Sequence, residues 1–289
     1  MNDLRRIIWL ASFPKSGNTW VRVLLANYFM PKTSAPDINS LSKFTTGDIR
    51  KDFFDRALGR PYSASSIEEW LQVRQKALRL IAASKPNHHF VKTHCQTTRM
   101  YDLDVIPPEV TAAAVYVIRN PFDLAPSFAR HQSADLDTTI ERMCSDKNIM
   151  ATDTGMYELL GRWDDHVNAW TMAPGLPLHI IRYEDMLASP GKVISTMLEK
   201  FMKVKVDRPK LAYAVKAASF KSLQKQEKEI GFSEKPATMK SFFTKGKSGA
   251  WREDLTPAQV GKLRSEFAAT LEKWYPEMLE ETAAFSAGA

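Results

Sequence analysis

The chain has 289 residues, 44% of them hydrophobic and 25% charged, a balance that excludes a disordered or low-complexity chain and provides for one sizeable core. Forty Lys and Arg against 33 Asp and Glu leave a charge of +7, which suits an anionic ligand. The basic residues form no stripe of the kind that tracks a nucleic-acid backbone, so no nucleic-acid partner is expected.

In chain order, Ile7–Ser12 reads as a short buried strand, Pro14 and Gly17 mark a turn, and Thr19–Met30 reads as a helix with Trp20, Val23, Leu24 and Phe29 on its apolar face. Residues 31–66 are turn-rich and aperiodic, which predicts a long irregular segment with short helical pieces. A helix is predicted over Ile67–Ala83 and strands over His89–Thr93 and Val115–Arg119, the second broken by Asn120-Pro121 before a helix Leu124–Arg130. Residues 131–154 are mixed. Tyr157–Ala173 reads as a helix, His179–Arg182 as a strand, and Ser189-Pro190 opens a helix to about Met202. A short helix after Pro209, a lysine-rich linker, the segment Lys240–Arg252 and a last helix Ala258–Lys273 capped by Thr256 follow, with 277–289 a frayed tail.

Short strands alternating with helices predict a single α/β domain over 1–289 with a mainly parallel sheet flanked by helices. Ligands on such sheets bind beyond the carboxyl ends of the strands. The ends here, Ser12, Thr93, Arg119 and Arg182, are each followed by polar or breaker residues, so one shared cleft is expected. No apolar run reaches the roughly 20 residues that span a bilayer, and Ile7–Ala11 is too short for a signal peptide. Cys95 and Cys144 stand in no metal-ligand spacing. A cytoplasmic, reducing location with no membrane contact and no metal is expected, with one disulfide as the alternative.

The first loop reads Phe13-Pro14-Lys15-Ser16-Gly17-Asn18-Thr19-Trp20 between strand and helix. It fails the Walker A pattern, because its lysine precedes its glycine. The physics of a phosphate loop remains: Lys15 brings charge, Gly17 lets the backbone approach, and the amides and hydroxyls from Ser16 to Thr19 can turn toward an anion at a helix N-terminus. A generic strand-loop-helix turn is the competing reading. His94, at a strand end after Lys92, is a candidate general base, with a structural histidine as its alternative.

Five further segments combine with the loop. They are Lys92-Thr93-His94; Arg119 at a strand end with Ser127 eight residues on; Tyr183-Glu184-Asp185; Ser219-Phe220-Lys221; and Lys245-Gly246-Lys247-Ser248-Gly249-Ala250-Trp251. In this order they resemble the cytosolic-type sulfotransferases that use 3′-phosphoadenosine 5′-phosphosulfate (PAPS) and release adenosine 3′,5′-bisphosphate (PAP), enzymes with a P-loop nucleotide-kinase-like fold. The resemblance implies His94, Lys15 and Lys92 as the catalytic residues. It implies Ser16, Gly17, Asn18, Thr19, Trp20, Arg119, Ser127, Tyr183, Ser219, Phe220, Lys245 and Gly246 at the donor, with Arg119 and Ser127 on the 3′-phosphate. The implied reaction is transfer of a sulfuryl group to a hydroxyl or amine of a small molecule. The acceptor pocket is expected from segments 31–66 and 130–160, with Phe13, Phe44 and Tyr157 as candidate lining. Alternatives are a P-loop small-molecule kinase and a non-catalytic nucleotide-binding homologue.

Two departures bear on donor binding: Thr244 stands where the family has an arginine before Lys-Gly, and Ala218 where it often has a threonine. Lys245, Lys247 and Arg252 are candidates to replace the missing guanidinium. The family's dimer motif survives only at Arg252 and Thr256, with Pro257 and Gly261 breaking it, so a monomer or a homodimer is expected.

Overall fold

The computed structural model describes residues 4–31, 36–63, 66–152 and 155–287. Parts of the segments 31–66 and 130–160, and the last two residues of the tail, lie outside the described residues.

The strands in chain order are β1 (Ile7–Ser12), β2 (Thr46–Gly47), β3 (His89–Thr93), β4 (Arg99–Met100), β5 (Leu103–Asp104), β6 (Thr111–Ile118), β7 (Ile149–Ala151), β8 (Tyr157–Leu159) and β9 (Leu178–Arg182). Five of them form one sheet in the order β2-β3-β1-β6-β9, with every adjacent pair parallel. β4 with β5 and β7 with β8 are separate antiparallel hairpins. β1 and β6 are almost wholly apolar because helices cover both faces of the sheet. Ile7, Trp9 and Ala11 enter the core on one side with Trp70, Phe128 and Trp163, whereas Leu10 packs on the other side with Val21, Leu24 and Leu25 of helix α1 (Asn18–Phe29). The period of two along β1 thus divides one strand between two hydrophobic layers.

β1, β3 and the helix Ile67–Ala83 fall where the sequence places them, and other elements differ. β6 starts at Thr111, not Val115; residues 112–114 are alanines with no strand preference of their own, held extended by pairing with β1. Asn120-Pro121 is a helix start rather than a break. The Asn120 side chain accepts the Asp123 amide at 2.8 Å, Pro121 takes the first turn, and the helix runs Pro121–Gln132. The predicted helix Tyr157–Ala173 divides into β8 and a helix Trp163–Thr171. Leu159 O accepts the Gln96 amide at 2.9 Å, and Gly161 turns left-handed at φ 62°. The lysine-rich linker contains a helix, Phe220–Ile230, capped by Ser219. The tail is a helix, Pro276–Ala287, that buries Met278 and Thr282.

Candidate active site

A cavity of about 500 Å³ opens beyond the carboxyl ends of β1, β3, β6 and β9. The loop after β1 forms its floor. Lys15 and Gly17 both have left-handed backbones, at φ 68° and 107°. Only glycine fits at 17, because a Cβ there would lie 2.7 Å from the ring of Tyr183. Lys15, Gly17, Asn18, Thr19 and Trp20 line the cavity. Ser16 does not; its Oγ is buried behind the loop without a hydrogen-bond partner. The Asn18 side chain turns back beneath the loop, its Nδ2 donating to Leu10 O at 2.8 Å, so that residue ties helix to strand and only its remaining surface reaches the cavity.

Lys92 on β3 and His94 just past its end line the cavity. His94 Nδ1 lies 2.8 Å from Ser12 O and 3.3 Å from Ser12 Oγ. A carbonyl can only accept, so Nδ1 carries the proton and Nε2 the lone pair. Burial, and next the charge of Lys92, hold His94 well below the ordinary histidine range, against the opposing pull of the Ser12 carbonyl. The ring is therefore neutral at pH 7 and able to take a proton at Nε2. A residue that the sequence reading passed over holds its backbone: His166 Nε2 donates to His94 O at 3.0 Å, and the Tyr116 hydroxyl donates to His166 Nδ1 at 2.8 Å. His166 is one polar residue within an apolar helix face, and no local pattern marks it.

Lys15, Lys92, Arg119 and Arg130 are among the cations that line the cavity. Burial, then Arg119, Arg130 and Lys92 in turn, lower the pKa of Lys15 to about 7, with Glu227 the opposing charge. The Lys15 ammonium sits 3.6 Å above the ring of Phe242, a contact that stabilises a partly desolvated cation. Arg119 donates to Lys15 O at 3.0 Å, lies 4.4 Å from the centre of the Tyr183 ring, and keeps a buried Nε without a partner. Ser127 lines the same wall two turns into its helix. Arg182, the fourth predicted strand end, pairs instead with Glu277 over the Tyr275 ring and does not line the cavity; its neighbour Tyr183 does. Glu184 locks two strand ends together by accepting the Asn120 amide at 3.1 Å, its side chain at 2.7 Å and the Tyr275 hydroxyl at 3.0 Å.

The aromatic end is built by Trp20, Tyr183 and Phe220. Trp20 donates its indole N–H to Ala218 O at 2.8 Å. Ser219 serves as the helix cap and does not line the cavity. Gly246 has φ 57°, and a Cβ on it would meet the Phe220 ring at 2.4 Å. Gly246→Ala therefore combines strain with a clash and is expected to weaken PAP binding about tenfold or more. Calorimetric titration against Gly59→Ala checks this, since Gly59 has φ 69° with nothing within 4 Å and reports backbone strain alone.

The C-terminal segment is anchored by Asp123, a buried residue given no role in the sequence reading. It accepts Ser248 Oγ at 3.0 Å and the amides of Gly249 and Trp251 at 2.8 and 3.1 Å. Lys245 and Lys247 line the cavity beside Thr244, but both pair with Glu253, and Lys245 also with Asp254. Arg252 pairs with Glu281 over Trp251 and lies off the cavity wall. Arg130, one turn beyond Ser127, lines the cavity together with Arg119 and pairs with Asp254 at 3.5 Å.

The acceptor candidates fall elsewhere. Phe13 is buried, edge-on to Phe128 and His166. Phe44 stacks on Phe29 and tilts against Phe90 on the far side of the sheet. Tyr157 meets Trp70 edge-on. None of the three lines the cavity. That end is walled by Ile49 from the segment 31–66 and by His131, Met150 and Glu158 from the segment 130–160. Tyr157 and Glu158 are neighbours on a strand and point to opposite faces, so reading this stretch as a helix selected the wrong one.

The sulfotransferase domain model matches residues 5–275. The chain belongs to the sulfotransferase family. It is 24% identical over 271 residues to cytosolic sulfotransferase 8 of Arabidopsis thaliana, covering 89% of this chain and 74% of that one. It is 25% identical over 269 residues to human sulfotransferase 1C2, covering 86% and 78%. Among solved structures it resembles a retinol dehydratase in complex with retinol and PAP, with a TM-score of 0.64, 20% identity, and coverage of 92% and 81%. It also resembles mouse sulfotransferase SULT7A1 complexed with PAP, with a TM-score of 0.63, 17% identity, and coverage of 99% and 90%. These structural likenesses establish the fold. That a dehydratase shares it means the reaction of this sulfotransferase-family chain must be argued from its own site. Among the described residues no helix is long and apolar enough to cross a membrane.

Proposed function

We propose that this protein transfers the sulfuryl group of PAPS to a hydroxyl, or an amine, of a small acceptor. The observation that carries the reading is the set of cations lining one cavity, with Lys15 lowered to about 7 by burial first and then by Arg119, Arg130 and Lys92. Such a site is matched to a ligand bearing several negative charges. The buried Arg119 Nε without a partner fits the same ligand.

The roles are those the family resemblance implies, given to the residues that line the cavity. Arg119 and Ser127 hold the 3′-phosphate, with Arg130 near them in place of the arginine missing at Thr244. Trp20, Tyr183 and Phe220 form the nucleoside wall. Thr19 and the backbone of the first loop cradle the 5′-phosphate, and Lys92 faces the transferring sulfuryl oxygens. His94 Nε2 takes the acceptor proton as the acceptor oxygen bonds to sulfur. The bridging S–O bond leaves its electron pair on the 5′-phosphate oxygen, where Lys15 meets the growing charge. Segments 31–66 and 130–160 enclose the acceptor.

Calorimetric titration with PAP, with ADP as control and without magnesium, tests the reading. Micromolar or tighter PAP binding with much weaker ADP binding is expected, because only PAP places a phosphate on Arg119. Equal affinities, or no binding of PAP, would remove it.

A further inference from the structure

Among the described residues, Glu158 lines the cavity beside His131 and Met150 with no donor bonded to its carboxylate. It is only 7% exposed and lines the cavity. The β7–β8 hairpin places it opposite Met150, and the bond from the Gln96 amide to Leu159 O holds it beside the segment that carries His94. Among the described residues its carboxylate makes no hydrogen bond and no ion pair within 4 Å.

The buried cation nearby is already committed. Arg74 binds Asp48 at 2.6 Å, and Thr93 donates to the same Asp48 oxygen at 2.7 Å. Lys92 acts on Glu158 only at longer range, and burial pushes the carboxyl of Glu158 up despite it. His94 and His131 are neutral, both lowered mainly by burial, His131 to about 4. A carboxylate enclosed in this way is costly unless a ligand supplies the donor it lacks. Its position also orients a ligand, since a cation is attracted to Glu158 and repelled from Lys15, Arg119 and Arg130, with Lys92 between the two ends.

We infer that Glu158 recognises the acceptor, and that the acceptors are small hydroxyl compounds bearing a cationic nitrogen, the ammonium on Glu158 and the hydroxyl toward His94. Ile49 and Met150 supply the apolar walls for the body between them. This rests on the sulfotransferase reading of the same cavity.

The test is calorimetric binding of two matched pairs, tyramine with 4-ethylphenol and trans-4-aminocyclohexanol with cyclohexanol, with and without saturating PAP. At least one amine is expected to bind wild-type protein about tenfold or more tighter than its neutral partner, the worth of a charge-assisted hydrogen bond. In Glu158→Gln that preference is expected to fall to about twofold or less. Absence of amine preference in both pairs, including absence of any binding, overturns the inference without need of a variant. So does a Glu158→Gln protein that keeps the wild-type preference. PAP titration of the same samples separates the two readings: loss of PAP binding removes the sulfotransferase reading, and loss of amine preference with PAP bound removes only the role of Glu158.

Discussion

Replacing His94 with asparagine is expected to lower kcat by about 10²–10⁴-fold, the range for a positioned general base. PAP affinity should change far less, because the proposed role of His94 is toward the acceptor. The structural basis is the tautomer. Ser12 O accepts the Nδ1 proton, so the lone pair is on Nε2, and burial keeps the ring neutral. Asparagine can mimic the Nδ1 bond but has no base. Steady-state rates with PAPS and a responsive acceptor, beside a PAP titration, give the answer. A kcat within about threefold of wild type would leave His94 as the structural histidine of the competing reading, since base catalysis is worth far more. The expected pH profile has the same origin. A neutral base with a pKa lowered from the ordinary histidine value stays competent as pH falls through 6.5, so that limb should lie below that of an unperturbed histidine.

PAP affinity is expected to weaken about 50-fold between pH 7 and pH 9, with uptake of about one proton on binding near pH 8. The group responsible is Lys15, with its pKa lowered to about 7 in the ligand-free protein. The direction follows from the charge that must be present. The anion binds the protonated lysine and raises its pKa. Affinity is therefore near its maximum below pH 7, where Lys15 is already charged, and declines above it, where binding must first protonate the amine. Below about pH 6 the ligand's own phosphates begin to lose charge, so the window from 7 to 9 isolates the lysine. Calorimetry in buffers of different ionisation enthalpy counts the protons. Lys15→Met should abolish both the slope and the uptake, and a wild-type affinity flat across that window would mean that Lys15 does not meet the phosphate.

Much of the proposed donor site was legible because it is local. The turn Phe13–Thr19 between an apolar run and a helix needs only neighbouring residues to form, and the left-handed Gly17 lies within it. Arg119 and Ser127 are likewise fixed by one strand end and one helix. His94 stands just past the end of β3, two residues after Lys92, so its place at the cavity is set by strand length. The parts of the site that were missed depend on contacts between distant segments. Asp123 gains its role only when residues 248–251 dock on it, and His166 only when its helix packs behind β3.

The parallel sheet and the loop Phe13–Trp20 between strand and helix were readable from the residues alone, because strand runs, glycine positions and the order of the six segments are written locally. Tertiary structure alone decided the acceptor end. A three-residue strand, β8, has too little pattern to be told from the first turn of a helix. Its pairing with β7 and with Gln96 determines that Glu158 faces the cavity while Tyr157 packs on Trp70. Which side chain faces a ligand is a question of register, and on a strand this short register is set by the partner rather than by the residues themselves.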